Sequence, residues 1–508
     1  MHASTGEVPV LSEMLSATVL GVDGVPVRVE ADVAFGLPSL TIVGLAGSAV
    51  QEARERVRSA IRNCGFEVPA RRITVNLAPA DLPKEGTSYD LAIAAAILGA
   101  SGQLGLAPTR RCALIGELAL DGSLRPVPGT LALAAAARTA EVGEVIVPQA
   151  NVREAASVRE ISVRGAASLG ETVAHLVGLR ELPAAVPTPI PSWSAPSGVP
   201  DLGDVIGQPL ARRALEIAIA GRHSLALSGP PGIGKTLLLR CGEGLLPPLE
   251  EDEAVEVSRI HSVAGLIDRR EPVIRRRPFR APHHTVSTQA LVGGGSRVRP
   301  GEASLAHRGV LMLDEMLQFR ADALDALRQP LESGIVTIAR VEGALTLPAR
   351  FALLSAFNPC PCGWRGSRRH ACRCEDGAAR RYVARLSGPL RDRLDLWVAM
   401  DEPELREEPD GAEPSSVVAQ RVHAAWRRQV ERQGVGNAEL QGALGADAGL
   451  PVRLGGLLQQ RGRRFGLSPR RLHRVARMAR TIADLSGSDE IRQADVDEAL
   501  AYRPERAA

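Results

Sequence analysis

The chain has 508 residues, 45% of them apolar, and a formal net charge of +3. That length has room for about three domains with ordinary cores and excludes a disordered chain, while near-neutrality excludes a protein that gathers polyanions through its overall field and leaves only local patches for such partners. Aromatic residues make up 3% of the chain, too few for the stacking platforms of many single-strand binders, so nucleic-acid contact would fall mainly on phosphate.

The start, MHASTGEVPV, has no basic n-region, and the longest apolar run, residues 91–100, is too short to cross a bilayer. A cytoplasmic protein with no membrane partner is expected. Residues before about Met14 lack periodicity and read as a loose tail. After them, residues 27–33 and 40–43 predict strands, and Val50, Ala53, Val57, Ile61 and Cys64 predict a helix ended by Gly65. A strand at 73–77, an apolar helix at 91–98 and a hairpin within 114–127, turning at Asp121-Gly122, complete a mixed α/β domain over residues 14–182. Residues 183–200 hold six prolines, the composition of a semi-rigid spacer. Beyond it, Leu210, Ala214, Ile217 and Ala218 share one helical face ahead of an apolar strand at 224–228.

That strand runs into GPPGIGKT, made of Gly229, Pro230, Pro231, Gly232, Ile233, Gly234, Lys235 and Thr236, with a helix-forming run after it. Strand, glycine loop and helix follow in the order of a phosphate-binding P-loop, which implies ATP. Of 61 basic residues only Lys84 and Lys235 are lysine, and the compact ammonium is the group that fits among backbone N–H groups and reaches the β- and γ-phosphates. A buried strand at 309–313 ends in Asp314 and Glu315. Asp314 is placed to hold Mg2+ through water, Thr236 to give it a hydroxyl directly, and Glu315 to polarise the attacking water. A further strand, 351–357, ends at Asn358, whose amide has the reach to bond both that water and the γ-phosphate.

Cys360, Cys362, Cys372 and Cys374 form two close pairs with His370 nearby. Four soft ligands so spaced match a structural Zn2+ site pinning loop 360–374, with free reduced thiols as the alternative. Residues 259–299 carry nine arginines against two acids, and residues 461–480 carry eight against none. Both stretches are candidate DNA phosphate-binding surfaces, the first being the stronger. Ser468 and Pro469 predict a helix start, placing Arg470 in the first turn. Leu472, Val475, Ala479 and Ile482 form the buried stripe of that helix, and Arg474 and Arg477 read more simply as a solvated face.

PKEGTSYD, residues 83–90, resembles the segment carrying the catalytic serine of Lon-type serine–lysine proteases, and GELALDGSLRPVPG, residues 116–129, resembles the segment leading to their lysine. The resemblance puts Ser88 at the nucleophile position but Leu133 at or next to the lysine position. Without a base a serine hydroxyl is a poor nucleophile, so a Lon-protease-like α/β domain with the protease chemistry absent is implied. Lys84 stays open between a loop charge paired with Asp81 or Glu85 and a functional role.

Taken together, the parts resemble the ComM/YifB family of magnesium-chelatase-like AAA+ ATPases over nearly the whole chain. The match rests on GLPSLTIVGLAGSAVQEARERVRSAI, RITVNLAPADLPKEGTSYDLAIA, RPFRAPHHTVS, LSGPLRDRLDL and ARTIADLSG; one departure is Met316-Leu-Gln-Phe319, where leucine-proline-glutamate-phenylalanine is expected. The resemblance implies a parallel-sheet AAA+ core over 201–402 and a C-terminal helical lid over 414–508. It also implies adenine contact by Ile206 to Gln208, Asn358 as sensor 1, Arg393 as arginine finger with Arg391 as runner-up, and Arg470 as sensor 2. The implied function is a hexameric, DNA-stimulated ATPase, using ATP and Mg2+, that drives branch migration in recombination or natural transformation. A magnesium-chelatase motor subunit and a MoxR-like protein-remodelling ATPase are the alternatives. Asp484-Leu-Ser-Gly-Ser488 fits the D-x-S-x-S metal signature of the chelatase partner domain, with too little chain after it for such a domain.

Overall fold

The computed structural model describes residues 11–45, 47–105, 111–189, 194–295, 298–340, 343–402, 412–440, 448–464 and 466–502. They form two compact units, one from residues up to 191 with 251–274 and 298–300, the other from the remainder. Ser296, within the glycine-rich end of the first arginine stretch, and Arg297 lie outside the described residues.

The first unit is built on a seven-stranded mixed sheet of β1 (Leu11–Leu20), β2 (Asp23–Ala34), β3 (Ser39–Val43), β4 (Arg72–Ala78), β5 (Cys112–Leu114), β8 (Glu144–Pro148) and β9 (Ser162–Ala166), in the order β3-β4-β2-β1-β5-β8-β9; β6 (Glu117–Leu118) and β7 (Leu124–Arg125) form a separate hairpin. Along β2, Val27, Val29, Ala31 and Val33 are buried while their neighbours are more open, the period-two signal that made the strand legible. The helices are α1 (Ser48–Asn63), α2 (Asp90–Ala100), α3 (Thr130–Thr139), α4 (Val152–Ala155) and α5 (Leu169–Leu176). Every residue of α2 is buried, which is why its sequence is a continuous apolar run and not an amphipathic stripe. Gly122 holds the hairpin turn at φ +84°, where an added Cβ would fall 2.1 Å from Cys64 Sγ. The expected loose tail is corrected in part: Leu11 to Met14 already pair with Asp32 to Val29 of β2. Strand β1 has neighbours on both sides, so backbone pairing orders residues that show no side-chain pattern.

A second departure from linear order is the helix Glu251–Val263, which follows the P-loop segment in sequence yet groups with the first unit. Ser262 donates its hydroxyl to Glu154, whose carboxylate also accepts from Leu131 N at 3.1 Å and from Asn151 Nδ2 at 3.2 Å. Burial pushes the Glu154 carboxyl above its usual range against these hydrogen bonds.

In the second unit β10 (Leu225–Ser228), β11 (Phe279–Arg280), β12 (Val310–Leu313), β13 (Ala352–Phe357) and β14 (Leu396–Ala399) form a parallel sheet, ordered β11-β12-β13-β10-β14. Strands β12 and β13 are wholly buried, as parallel strands covered on both faces must be. The helices α6 (Pro209–Gly221) and α7 (Lys235–Leu245) flank β10, and α8 (Ser415–Gln433) and α10 (Pro469–Leu485) pack against them, with α9 (Val452–Arg464) and α11 (Gln493–Ala501) beside α10. Ser468 caps α10 through Arg471 N, and Leu472, Val475, Ala479 and Ile482 are buried as expected. Among the described residues no helix is long and apolar enough to cross a membrane.

Asp484 is the polar centre of this helical packing. It takes Arg432 in a two-pronged pair at 2.8 and 2.9 Å, Asn437 Nδ2 at 2.8 Å and Arg480 at 3.1 Å. Its carboxylate is therefore spoken for by arginine, and Ser486 and Ser488 bond backbone carbonyls of their own segment. Asp484→Ala leaves Arg480, which is only 3% exposed, without its charge partner, a change that costs on the order of 3–5 kcal/mol. Thermal melting of the variant is expected to show a large drop in the transition of the second unit, and an unchanged melt would contradict this assignment.

Candidate functional site

Strand β10 ends at Ser228, and the chain turns through the glycine loop into α7. Gly232 and Gly234 adopt φ +79° and +89°, and nothing lies within 4 Å of where a Cβ would project. The loop is thus an open cradle with its backbone exposed at a helix start, the setting that attracts phosphate. Lys235 Nζ donates to Gly229 O at 2.8 Å, Pro230 O at 2.6 Å and Asn358 Oδ1 at 3.1 Å. Thr236 Oγ1 donates to Asp314 Oδ2 at 2.8 Å. The pair expected to hold Mg2+ therefore already stands together, and hydroxyl plus carboxylate is the hard oxygen set that ion takes. Burial brings the Lys235 ammonium down to about 8, with Asp314 and Glu315 opposing the shift.

Parallel pairing explains the convergence. Strand β13 runs beside β10 and β12 beside β13, all parallel, so Asp314, Glu315 and Asn358 leave their strands at the same edge as the P-loop. Ligands in open α/β sheets bind at this edge. Glu315 sits at φ +49° and is exposed, with His284 Nδ1 3.6 Å from its Oε2. Met316, Leu317 and Phe319 are fully buried, so the departure from the expected sequence after Glu315 serves packing. Ile206 and Leu210 are 60% and 49% exposed; Leu210 thus leaves the buried face shared by Ala214, Ile217 and Ala218, because it lies in the first turn of α6.

Arg393 is not at this edge. Asp395 N bonds Ser224 O at 3.0 Å and Ser224 N bonds Asp395 Oδ2 at 3.0 Å, which fixes Arg393 at the opposite end of β10. Five residues of extended chain, roughly 16 Å, separate Ser224 from Gly229. There Arg393 pairs with Glu332 and donates to Pro389 O at 2.6 Å. Arg470 reaches the same Glu332 at 3.4 Å and is otherwise exposed. Arg391 lies over the Trp397 ring. Arg474 departs from the solvated-face expectation: it bonds Asp395 Oδ1 at 2.8 Å and Arg393 O at 2.7 Å, because the polar face of α10 meets a charged loop. Arg222, Glu332, Arg350, Arg393, Arg474 and Arg477 line a cavity of about 210 Å3 here.

The four cysteines come together as a cluster. Their sulfurs all lie within 4.8 Å of one another, with Cys360–Cys362 at 3.4 Å, Cys360–Cys372 at 3.7 Å and Cys362–Cys372 at 3.6 Å. A tetrahedral ion with Zn–S of about 2.3 Å requires S···S of about 3.8 Å, so the set fits a thiolate-bound metal. Backbone N–H groups of Trp364 and Arg373 bring the Cys362 thiol down to about 6. His370 is exposed and its ring meets that of Trp364 at a tilt of 50°, with centroids 4.2 Å apart.

In the first unit Ser88 is buried, donating to Ala17 O at 3.3 Å, and Leu133 is in the core. Lys84 is fully buried, donating to Pro79 O, with desolvation lowering its affinity for a proton and the Asp81 charge opposing that shift. The arginine stretches are largely committed internally. Arg259 pairs with Asp23, Arg280 with Glu302 at 2.7 and 2.8 Å, and Arg277 is buried over Trp426. Arg461 pairs with Asp497, Arg471 with Asp392 and Arg480 with Asp484. Arg269, Arg270, Arg276 and Arg299 of the first stretch are exposed, Arg276 donating to Ser194 Oγ at 2.8 Å. Glu332 was not visible as a site residue in the sequence, and His284 stood out only as part of the RPFRAPHHTVS string.

Comparison with known proteins agrees with this architecture. The family described as magnesium chelatase, subunit ChlI, matches residues 201–408; subunit ChlI of Mg-chelatase matches 29–151; and the subunit ChlI C-terminal family matches 412–503. An uncharacterized protein of Mycobacterium tuberculosis is 43% identical over 97% of this chain and 98% of its own length. The uncharacterized protein YifB of Escherichia coli is 43% identical over 97% of each chain, and the competence protein ComM of Haemophilus influenzae is 42% identical over 97% of each.

The lowered Lys235 proton affinity gives a pH prediction. Phosphate oxygens favour the charged ammonium, so bound nucleotide raises its pKa and binding takes up a proton once the free site has lost one. Affinity for an ATP analogue is expected to be constant below pH 8 and to fall as pH rises through about 8, by up to about tenfold per unit. Calorimetric titration in buffers of different ionisation enthalpy checks this; an affinity flat from pH 7 to 9.5 would contradict it.

Proposed function

Since the chain belongs to the ComM/YifB family of magnesium-chelatase-like AAA+ ATPases, we propose that it is a hexameric ATPase that couples ATP hydrolysis to DNA translocation and branch migration in recombination or natural transformation. The observation that carries this reading is the division of the catalytic set across β10. One end bears Lys235, Thr236, Asp314, Glu315 and Asn358, the other bears Arg393 and Arg470. A finger so placed serves the γ-phosphate of a neighbouring chain, and repetition of that head-to-tail contact closes a ring.

In this mechanism Lys235 exchanges the carbonyls of Gly229 and Pro230 for the β- and γ-phosphates. Asn358 keeps its bond to Lys235 and orients the attacking water, and Glu315 accepts its proton. Thr236 and Asp314 would hold Mg2+, which would supply neutralisation of the phosphate charge. Arg393 from the next chain stabilises charge developing on the transferred phosphoryl group, an effect on the order of 10³–10⁵-fold. Arg470 joins it at the same interface as sensor 2.

The helices over 414–508 act as the lid, and the four-cysteine set would hold Zn2+, which would pin loop 360–374. The domain over 14–182 is a Lon-like fold without protease activity, in keeping with the buried Ser88 and with Leu133 at the lysine position. DNA enters through phosphate contacts, for which Arg269, Arg270 and Arg299 are exposed candidates in 259–299. The name of the Haemophilus influenzae relative, a competence protein, points the same way. A magnesium-chelatase motor subunit is the second reading, favoured by the three chelatase family matches.

The test compares ATPase rate with and without single-stranded DNA, then three-strand branch migration, with Lys235→Ala as control. DNA is expected to raise the rate several-fold, and wild type but not Lys235→Ala is expected to move the branch. Active ATPase without stimulation or migration would overturn the DNA reading in favour of the alternative.

A further inference from the structure

The four-cysteine cluster stands against the nucleotide cradle itself. Cys360 follows Asn358 by two residues and is completely buried, and its carbonyl accepts from Gly363 N at 3.0 Å. This tight turn presses Gly363 onto the P-loop. At φ +84°, a Cβ on Gly363 would fall 3.0 Å from Pro231 Cδ, 3.4 Å from Pro231 Cγ and 3.7 Å from Asn358 Nδ2. One residue thus touches the loop that cradles phosphate and the amide that bonds Lys235.

No regular backbone pairing holds that turn in place. Between β13 and Asp376 there is no helix or strand. Beyond the cluster, its contacts include Arg365 with Asp376 at 2.8 Å at the surface, Ser367 Oγ with Glu402 at 2.6 Å in a half-buried position, and the amides of Arg368 and Arg369 with the same Glu402. Exposed ion pairs contribute little rigidity. The sulfur spacing, by contrast, suits a tetrahedral thiolate-bound ion, and such an ion would tie both ends of the loop, Cys360-Cys362 and Cys372-Cys374, to one point.

We propose that Zn2+ bound by Cys360, Cys362, Cys372 and Cys374 is a brace for the nucleotide cradle: it holds Gly363 against Pro231 and Asn358, and ATP affinity depends on metal occupancy. This goes beyond a metal that merely stabilises a surface loop. It rests on the nucleotide-binding reading of the P-loop. The cradle's groups remain in the chain without metal, but the P-loop and Asn358 lose the surface that fixes their separation. Displacements of about 1 Å in positioned groups carry penalties up to 10²-fold.

The full chain is purified with its metal, and Zn2+ content is measured alongside equilibrium binding of a non-hydrolysable ATP analogue at constant Mg2+. A zinc-selective chelator that spares Mg2+ then removes the ion, and Zn2+ is added back. The expected result is one Zn2+ per chain, analogue affinity reduced about tenfold on removal and restored on return. Cys372→Ser with Cys374→Ser is expected to match the stripped protein. Gly363→Ala is expected to keep its Zn2+ and still bind the analogue more weakly, because its Cβ meets Pro231. Circular dichroism confirms that each form stays folded, and the add-back step needs no variant at all. Unchanged analogue affinity between loaded and stripped protein would overturn the brace, as would the absence of any tightly held Zn2+. Failure of the metal-loaded wild type to bind the analogue would instead sink the nucleotide-site reading, so the two failures are distinguishable.

Discussion

Everything in the second unit follows from β10 being the shared strand of a parallel sheet. Its hydrogen bonds to β13 on one side and β14 on the other fix direction as well as register. Whatever leaves the C-terminal ends of these strands converges on the P-loop, and whatever enters at their N-terminal ends is kept apart from it by the length of the sheet. Asp314, Glu315 and Asn358 belong to the first set, Arg393 to the second. No side-chain rearrangement exchanges these ends, because that would require breaking a sheet whose strands β12 and β13 are wholly buried.

The second constraint is charge. A chain that writes nearly all its positive charge as arginine has many planar forks to satisfy, and the structure uses them as internal ties. Asp484 holds Arg432 and Arg480, Glu302 holds Arg280, and Glu332 gathers Arg393 and Arg470 at one point. Apart from Arg480–Asp484, four residues apart on α10, these pairs link segments well separated in sequence, so a basic stretch seen along the chain is not one basic surface in space. The few arginines left exposed carry more weight for the proposed DNA contact than the totals do.

This is also what separated the legible from the illegible in the sequence. The phosphate loop, the paired carboxylates and the alternating strands are contiguous strings whose chemistry or period is local, and each sits where its string placed it. Glu332 could not be picked out, because its meaning comes from Arg393, 61 positions away. The helix Glu251–Val263 read as part of the P-loop segment, yet Ser262 and Glu154 join it to the first unit. Leu11 to Met14 looked unstructured because strand pairing by backbone leaves no mark on side-chain pattern. The cysteine spacing suggested a cluster correctly but gave no hint that Gly363 would lie on Pro231.

The central claim is that one chain cannot complete its own catalytic site. Mixing Lys235→Ala chains, which lack the phosphate ligand, with Arg393→Ala chains, which lack the finger, tests it directly. Each variant alone is expected to be nearly inactive. The account predicts that the mixture hydrolyses ATP at a substantial fraction of the wild-type rate, since some interfaces then pair an intact P-loop with an intact Arg393. A mixture no more active than the sum of its parts, under conditions where wild-type chains assemble and hydrolyse, would contradict it.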